Sequence, residues 1–232
     1  MNMNKSPKIQ AVIFDVGGVL LYDVWEHLFL DEDQGFVSLY GLPREKLEAV
    51  GKELWEKFAY VSASVEQTWQ KIEEEYWANF LEKFNEEFLP QQTPSIEQLV
   101  ELSKKFIKPI NKTYTLLLLE KLKERKITLA ICSNNNEFWF ERQMEVSGFD
   151  RFFLPQNIVL SCKIGVSKTH PSGKMFKEVL NALNLPGDKT MFVDDRQENI
   201  EKAKEFEIHS ILFPSESQNG MKELEQVLSE YL

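Results

Sequence analysis

With 232 residues, 43% of them hydrophobic and 12% aromatic, the chain is long enough for one domain with a core of its own, or one with a substantial insertion, and too apolar to be disordered. A formal charge of −10 argues against a general nucleic-acid binder, since affinity for the phosphate backbone needs clustered Lys and Arg, so an anionic ligand has to be met locally. Cys132 and Cys162 are too few for a disulfide scaffold and have no histidine cluster for a zinc site, which makes a reducing cytoplasm the expected location.

The N-terminus carries Lys5 and Lys8 before an apolar stretch too short for a signal peptide, and no run approaches transmembrane length, so no membrane partner is expected. Ile9–Phe14 reads as a buried strand that stops at Asp15 and is followed by Gly17 and Gly18. A carboxylate and two glycines at a strand end present a reactive group, with backbone amides free to approach an anion. Standing alone, such an aspartate would be a turn former or a helix cap.

A long helical stretch follows. Leu47, Val50, Leu54 and Phe58 recur at helical spacing, as do Val65, Trp69, Ile72, Tyr76, Phe80 and Phe84. Thr93-Pro94 reads as an N-cap with a helix-opening proline. These aromatic stripes read as core rather than as a ligand platform, and the block has no catalytic grammar of its own. Residues 24–110 are therefore expected to form an inserted helical cap, leaving 1–23 and 111–232 as the core domain.

In the C-terminal half, strand-like runs at Ile127–Cys132, Ile158–Leu160, Thr190–Val193 and Ser210–Phe213 alternate with helical patterns, and Met221–Leu232 reads as an amphipathic closing helix. The expected fold is α/β: a doubly wound parallel sheet, a Rossmann-like core, with the helical cap inserted after its first strand. Such a cap leaves and returns at the carboxyl edge of the sheet, where ligands bind in open α/β folds, and it can exclude water and select substrate.

The second strand ends at Ser133-Asn134. Lys168 follows a loop containing Gly165 and precedes Pro171, which can open a helix. The fourth strand ends at Asp194-Asp195, and two carboxylate-bearing strand ends side by side would make a magnesium site. Cys132 reads as a small buried strand residue and His170 as a loop residue, while His27 and His209 show no partner. Arg196 and Asn199 either serve the helix after the acid pair or approach the site.

Taken together, Phe14-Asp15-Val16-Gly17-Gly18-Val19-Leu20, Ile131-Cys132-Ser133-Asn134, Gly165-Val166-Ser167-Lys168-Thr169-His170-Pro171 and Phe192-Val193-Asp194-Asp195 resemble the four signatures of the haloacid dehalogenase-like hydrolases, which are mostly phosphatases. The resemblance implies a helical-bundle cap and adjacency of strands one, two and four. It further implies that Asp15 is the nucleophile of an aspartyl-phosphate mechanism acting on a small phosphorylated metabolite. Mg2+ would be held by the Asp15 carboxylate, the Gly17 carbonyl and Asp195, with Asp194 acting through water. Ser133, Asn134 and Lys168 would bind the phosphoryl group, with Asn134 alternatively capping the following turn.

One departure bears on mechanism. Most phosphatases of this superfamily carry a second aspartate two positions after the nucleophile, as acid and base for the leaving oxygen; here that position is Gly17. A phosphomutase is thereby disfavoured, whereas sugar-1-phosphate phosphatases resemble this chain in having glycine there. Asp23 either stands in as the acid or belongs to a turn. Val19, Thr169-His170 and Glu207 are smaller departures. A catalytically weak phosphate-binding or regulatory protein is the alternative function. A carbon–halogen hydrolase shares the nucleophile but has no evident need for the acid pair. Substrate and oligomeric state are not legible.

Overall fold

A computed structural model describes residues 9–60, 62, 67–90 and 92–231, so that Lys5, Lys8, Val65 and Leu232 lie outside the described residues. Five parallel strands form one sheet in the order β3-β2-β1-β4-β5: β1 (Ala11–Phe14), β2 (Thr128–Ser133), β3 (Ile158–Leu160), β4 (Thr190–Asp194) and β5 (His209–Leu212). The central strands are buried along nearly their whole length, as a parallel sheet covered on both faces requires, and the edge strand β5 is the most open. Every expected strand is present. Its ends shift by a residue or two, because Ile9 and Ile127 are buried ahead of the paired segments and Phe213 just beyond one.

Between β1 and β2 lie a π-helical turn, Trp25–Leu30, and five helices: α1 (Phe36–Tyr40), α2 (Arg44–Phe58), α3 (Trp69–Phe88), α4 (Ile96–Phe106) and α5 (Lys112–Glu124). Then follow α6 (Glu137–Ser147) after β2, α7 (Ser161–Ile164) and α8 (Lys174–Leu183) after β3, α9 (Gln197–Lys204) after β4, and the closing α10 (Gly220–Ser229). Side chains alternate across the strands, so Ile13, Ala130 and Phe192 meet Phe176 of α8 and Ile200 of α9 on one face. On the other, Phe14, Ile131 and Val193 belong to a larger cluster that continues through α6 into α2 and α3.

Two helix starts differ from expectation. The cap of α4 is Ser95 rather than Thr93: the Gln98 N–H donates to Ser95 Oγ at 3.3 Å and the Ser95 N–H to Gln98 Oε1 at 2.8 Å. This reciprocal pair satisfies two otherwise orphaned amides, and it leaves Pro94 outside the helix. Likewise Pro171 sits in the turn before α8, which begins at Lys174 after Gly173 in a left-handed conformation (φ 60°). A β-carbon at Gly173 would come within 2.0 Å of the Phe206 ring, so both backbone and space require glycine there.

Close packing also fixes Gly51 on α2. Trp25 stacks on Phe29 with ring centroids 4.1 Å apart, and a β-carbon on Gly51 would stand 1.8 Å from the indole. Gly51→Ala is therefore expected to lower stability by about 1–3 kcal/mol in urea unfolding through overpacking, despite the better helix propensity of alanine. A variant as stable as the parent would show that the indole is not seated against α2.

Candidate active site

The sheet register assembles the site. Phe14 lies opposite Ile131 on one side and Val193 on the other, so Asp15 leaves the sheet level with Cys132 and Asp194 at the carboxyl ends of the strands. Its own N–H still donates to Val193 O at 2.9 Å, and its Oδ1 accepts from the Val16 N–H at 2.8 Å. Asp15 is 7% exposed and Asp194 fully buried, and both meet Lys168, whose Nζ stands 2.6 Å from Asp15 Oδ2 and 2.5 Å from Asp194 Oδ2. Lys168 is itself 1% exposed, a buried cation in place of a surface lysine.

Burial is costly for each of these charges, and the group is stable only because each offsets another. It pushes the Lys168 ammonium toward losing its proton, but the carboxylates of Asp15 and Asp194 outweigh that and hold its pKa above the ordinary lysine value. Asp194 is shifted up, first by burial and then by the Asp15 charge, while Lys168 and Asn199 pull the other way. Asp195 is also raised, chiefly by burial, against the Ser215 hydroxyl. Burial pushes the Cys132 thiol up to about 12, in keeping with an inert strand residue.

The acid pair divides in two. Asp194 points inward: its Oδ1 accepts from the Arg196 N–H at 2.8 Å and from Asn199 Nδ2 at 2.9 Å, which assigns Asn199 to the support of this carboxylate. Asp195 faces a cavity of about 410 Å³ that Asp15, Gly17, Ser133, Asn134 and Lys168 also line. One of its oxygens, Oδ2, accepts from Ser215 Oγ at 2.9 Å, whereas Oδ1 is buried without a partner among the described residues. Asp15, Asp194 and Asp195 each offer an oxygen within 4.8 Å of the others.

Asn134 does not cap the turn after β2. Its Oδ1 accepts the Lys168 N–H at 2.9 Å and so ties the lysine loop to the strand end, while Asn136 caps α6 by accepting from the Trp139 N–H at 3.0 Å. Asp23 carries out the turn role, its Oδ1 accepting from the N–H groups of Trp25 and Glu26 at 2.8 and 3.2 Å. Its Oδ2 nevertheless lies 3.6 Å from where a β-carbon on Gly17 would stand, and the residue borders the cavity.

The strand-end glycines have a specific task, and several other contributors carried no local signal. Gly18 has φ 74°, and a β-carbon there would approach Asp195 Oδ2 to 2.3 Å, so this glycine sets how close the first loop comes to the acid pair. His27 pairs with Glu216 at 2.9 Å across 189 positions of sequence. Trp25, Lys52, Trp55, Trp139 and Gln143 border the cavity from the elements between β1 and β2 and from α6. The remaining histidines stay peripheral: His170 bonds Ser172, and His209 lies against Tyr231.

Lys168→Met leaves two buried carboxylates without their cation and is expected to cost about 3–5 kcal/mol at neutral pH. Burial already holds the Asp194 pKa above its unfolded value and Lys168 pulls it down, so without Lys168 it rises further, stability falls as pH rises, and part of the loss should be recovered near pH 5. Urea unfolding at pH 5 and 7.5 measures this. A deficit equal at both pH values would mean that the carboxylates are not the source of the loss.

Residues 9–206 match the family model of the haloacid dehalogenase-like hydrolases. Among solved structures the chain is similar to a haloacid dehalogenase family enzyme of Bacteroides thetaiotaomicron in complex with magnesium and inorganic phosphate. The TM-score is 0.62 at 22% identity, covering 89% of this chain and 95% of that one. A predicted hydrolase of the same type from Porphyromonas gingivalis superposes with TM-score 0.59 at 19% identity, covering 95% and 98% of the two chains. The L-2-haloacid dehalogenase of Xanthobacter autotrophicus shares the fold at TM-score 0.54 and 18% identity, over 87% of this chain and 76% of its own.

Proposed function

Because the chain belongs to the haloacid dehalogenase-like hydrolase family, we propose that it is a magnesium-dependent phosphatase acting on a small phosphorylated metabolite, with Asp15 as nucleophile. The observation that carries this reading is the set of three carboxylates at the strand ends, with Asp195 Oδ1 buried and unpartnered beside Asp15. Hard oxygen donors so arranged fit a divalent cation, and a carbon–halogen hydrolase would have no use for the orphaned oxygen. Asp15, Asp195 and the Gly17 carbonyl would hold Mg2+; Asp194, whose oxygens already serve Lys168, Arg196 and Asn199, would act through water. When bound, the ion supplies neutralisation of the phosphoryl oxygens, without which a carboxylate cannot approach a dianion.

The chain's own residues do the rest. Ser133 and Lys168 bind phosphoryl oxygens, with Asn134 fixing the lysine loop beside them. An Asp15 oxygen attacks phosphorus and the ester oxygen leaves with its electron pair. Water then attacks the phosphorus of the aspartyl phosphate, releasing phosphate and restoring Asp15. The helices of residues 24–110 act as the cap that covers this edge of the sheet and selects the leaving group. No described helix is long and apolar enough to cross a membrane, and two buried free thiols fit the cytoplasm.

Magnesium-dependent release of phosphate from an activated aryl phosphate is the expected activity, and Asp15→Asn should reduce it to background. Equal turnover by both proteins at matched purity would remove Asp15 as nucleophile. A protein that binds phosphate and magnesium without turnover would instead be the weak regulatory member of the fold that Gly17 allows.

The vacant position at Gly17 leaves Asp23 Oδ2 as the carboxylate oxygen facing the space where an acid would stand. Across aryl phosphates of rising leaving-group pKa, single-turnover kcat/KM is expected to fall more steeply in Asp23→Asn than in the parent, because negative charge then builds up on the leaving oxygen undonated. Identical slopes would confine Asp23 to its turn.

A further inference from the structure

Asp195 is singled out by what its oxygens are bonded to. Both oxygens of Asp15 and both of Asp194 already accept a hydrogen bond or meet Lys168, whereas Asp195 has Oδ2 bonded to Ser215 Oγ and Oδ1 buried without a partner among the described residues. The terminal torsion of an aspartate is soft and roughly two-fold, so the backbone at Asp195 does not decide which oxygen is left free. The hydroxyl bond decides it. Ser215 holds Oδ2 at 2.9 Å, and Oδ1 remains as the open position beside Asp15.

The chain around this bond holds it in place. Gly18 packs directly over it: a β-carbon there would stand 2.3 Å from Asp195 Oδ2 and 3.1 Å from Ser215 Oγ, so a side chain at this position would press on both partners. The carbonyl of the same glycine accepts the Glu216 N–H at 3.0 Å. Glu216 takes a left-handed conformation, φ 57°, which a residue with a β-carbon adopts only at a cost. Its carboxylate anchors that conformation, one oxygen accepting the Asp23 N–H at 3.0 Å and the other meeting His27 at 2.9 Å. On the other side of Ser215 the Phe213 N–H donates to Asp194 O at 2.8 Å. Ser215 is exposed at the rim, yet the backbone that carries it is tied down both before and after it.

We propose that Ser215 is a positioning residue for magnesium: its hydroxyl turns the Asp195 carboxylate so that Oδ1 is presented to the ion, while Ser215 itself touches neither ion nor substrate. This rests on the magnesium-dependent phosphatase reading and adds to it a residue from the segment after β5. With alanine at position 215 the two Asp195 oxygens become interchangeable, and binding the ion then has to freeze the carboxylate as well. Outer hydrogen-bond partners of metal-binding groups contribute about 10–100-fold in affinity, and the lower end applies to a hydroxyl at the rim, where water replaces part of the bond.

Calorimetric titration of the metal-free protein with Mg2+ tests this. Ser215→Ala is expected to raise the dissociation constant about tenfold, and Ser215→Thr, which keeps the hydroxyl, to stay within about threefold of the parent. Pro214→Ala loosens the turn while leaving the hydroxyl and every charge in place, and it too should stay near the parent. In turnover of an aryl phosphate the Ser215→Ala deficit should vanish as Mg2+ is raised to saturation, whereas a disturbed nucleophile or cavity would lower kcat at any concentration. A Ser215→Ala constant within about threefold of the parent overturns the proposal. So does equal weakening by Pro214→Ala, which would assign the effect to the turn, or a deficit that saturating Mg2+ does not remove. In each of these cases Mg2+ binding by the parent leaves the phosphatase reading standing. A parent that binds Mg2+ but hydrolyses no phosphate ester fails that reading alone, with the titration still deciding for Ser215. A parent that takes up no Mg2+ removes the metal assignment and this proposal with it.

Discussion

The rest of the site depends on one cation: Lys168, buried between Asp15 and Asp194. Removing three charges from water costs several kcal/mol per ion, and the attraction among them offsets that only while the geometry holds. The hydrogen bonds from Asn199 and Arg196 to Asp194, and from Val16 to Asp15, satisfy lone pairs that Lys168 does not reach. The sheet order sets the distances, because β1 lies between β2 and β4 and brings strand ends more than a hundred residues apart in sequence into contact. A shift of one residue in either pairing would turn one of these carboxylates to the other face of the sheet.

The neighbouring loops adapt to that centre. Gly18 turns left-handed and lets the chain after β1 pass close to Asp195, whose second oxygen is held by Ser215 on the segment following β5. The same segment anchors the start of the inserted helices through Glu216, which accepts the Asp23 N–H at 3.0 Å and pairs with His27. One short stretch after the last strand therefore fixes both an acid of the site and the first turn of the insertion.

The strand ends of the candidate site were legible because each is a short apolar run closed by polar residues, a local pattern that survives folding unchanged. The predicted boundaries failed where two neighbouring residues could both cap: Thr93-Pro94 lost to Ser95, which has Gln98 three positions on to complete the reciprocal pair, and Pro171 lost to Gly173, where Phe206 packs. In Asn134-Asn135-Asn136, three identical side chains take three jobs, decided by what lies opposite in space: the lysine loop, Gln143 and the N-terminus of α6. The His27–Glu216 pair and the cavity wall of Lys52 and Trp25 were not legible at all: Glu216 reaches His27 from 189 positions away, on the segment after β5, and Lys52 and Trp25 meet only after α2 and the π-helical turn have packed.

That packing also limits how the helices between β1 and β2 can move. Their core is continuous with that of the sheet: Tyr76 and Trp77 of α3 lie 4.9 and 5.7 Å, centroid to centroid, from Phe138 and Trp139 of α6. Between the same two helices Arg142 donates to Glu73 at 2.6 Å with both side chains buried, and its guanidinium lies over Trp69 at 4.8 Å. Lifting α3 off α6 as a rigid lid would open this apolar contact and strand a charge pair whose rupture is worth several kcal/mol.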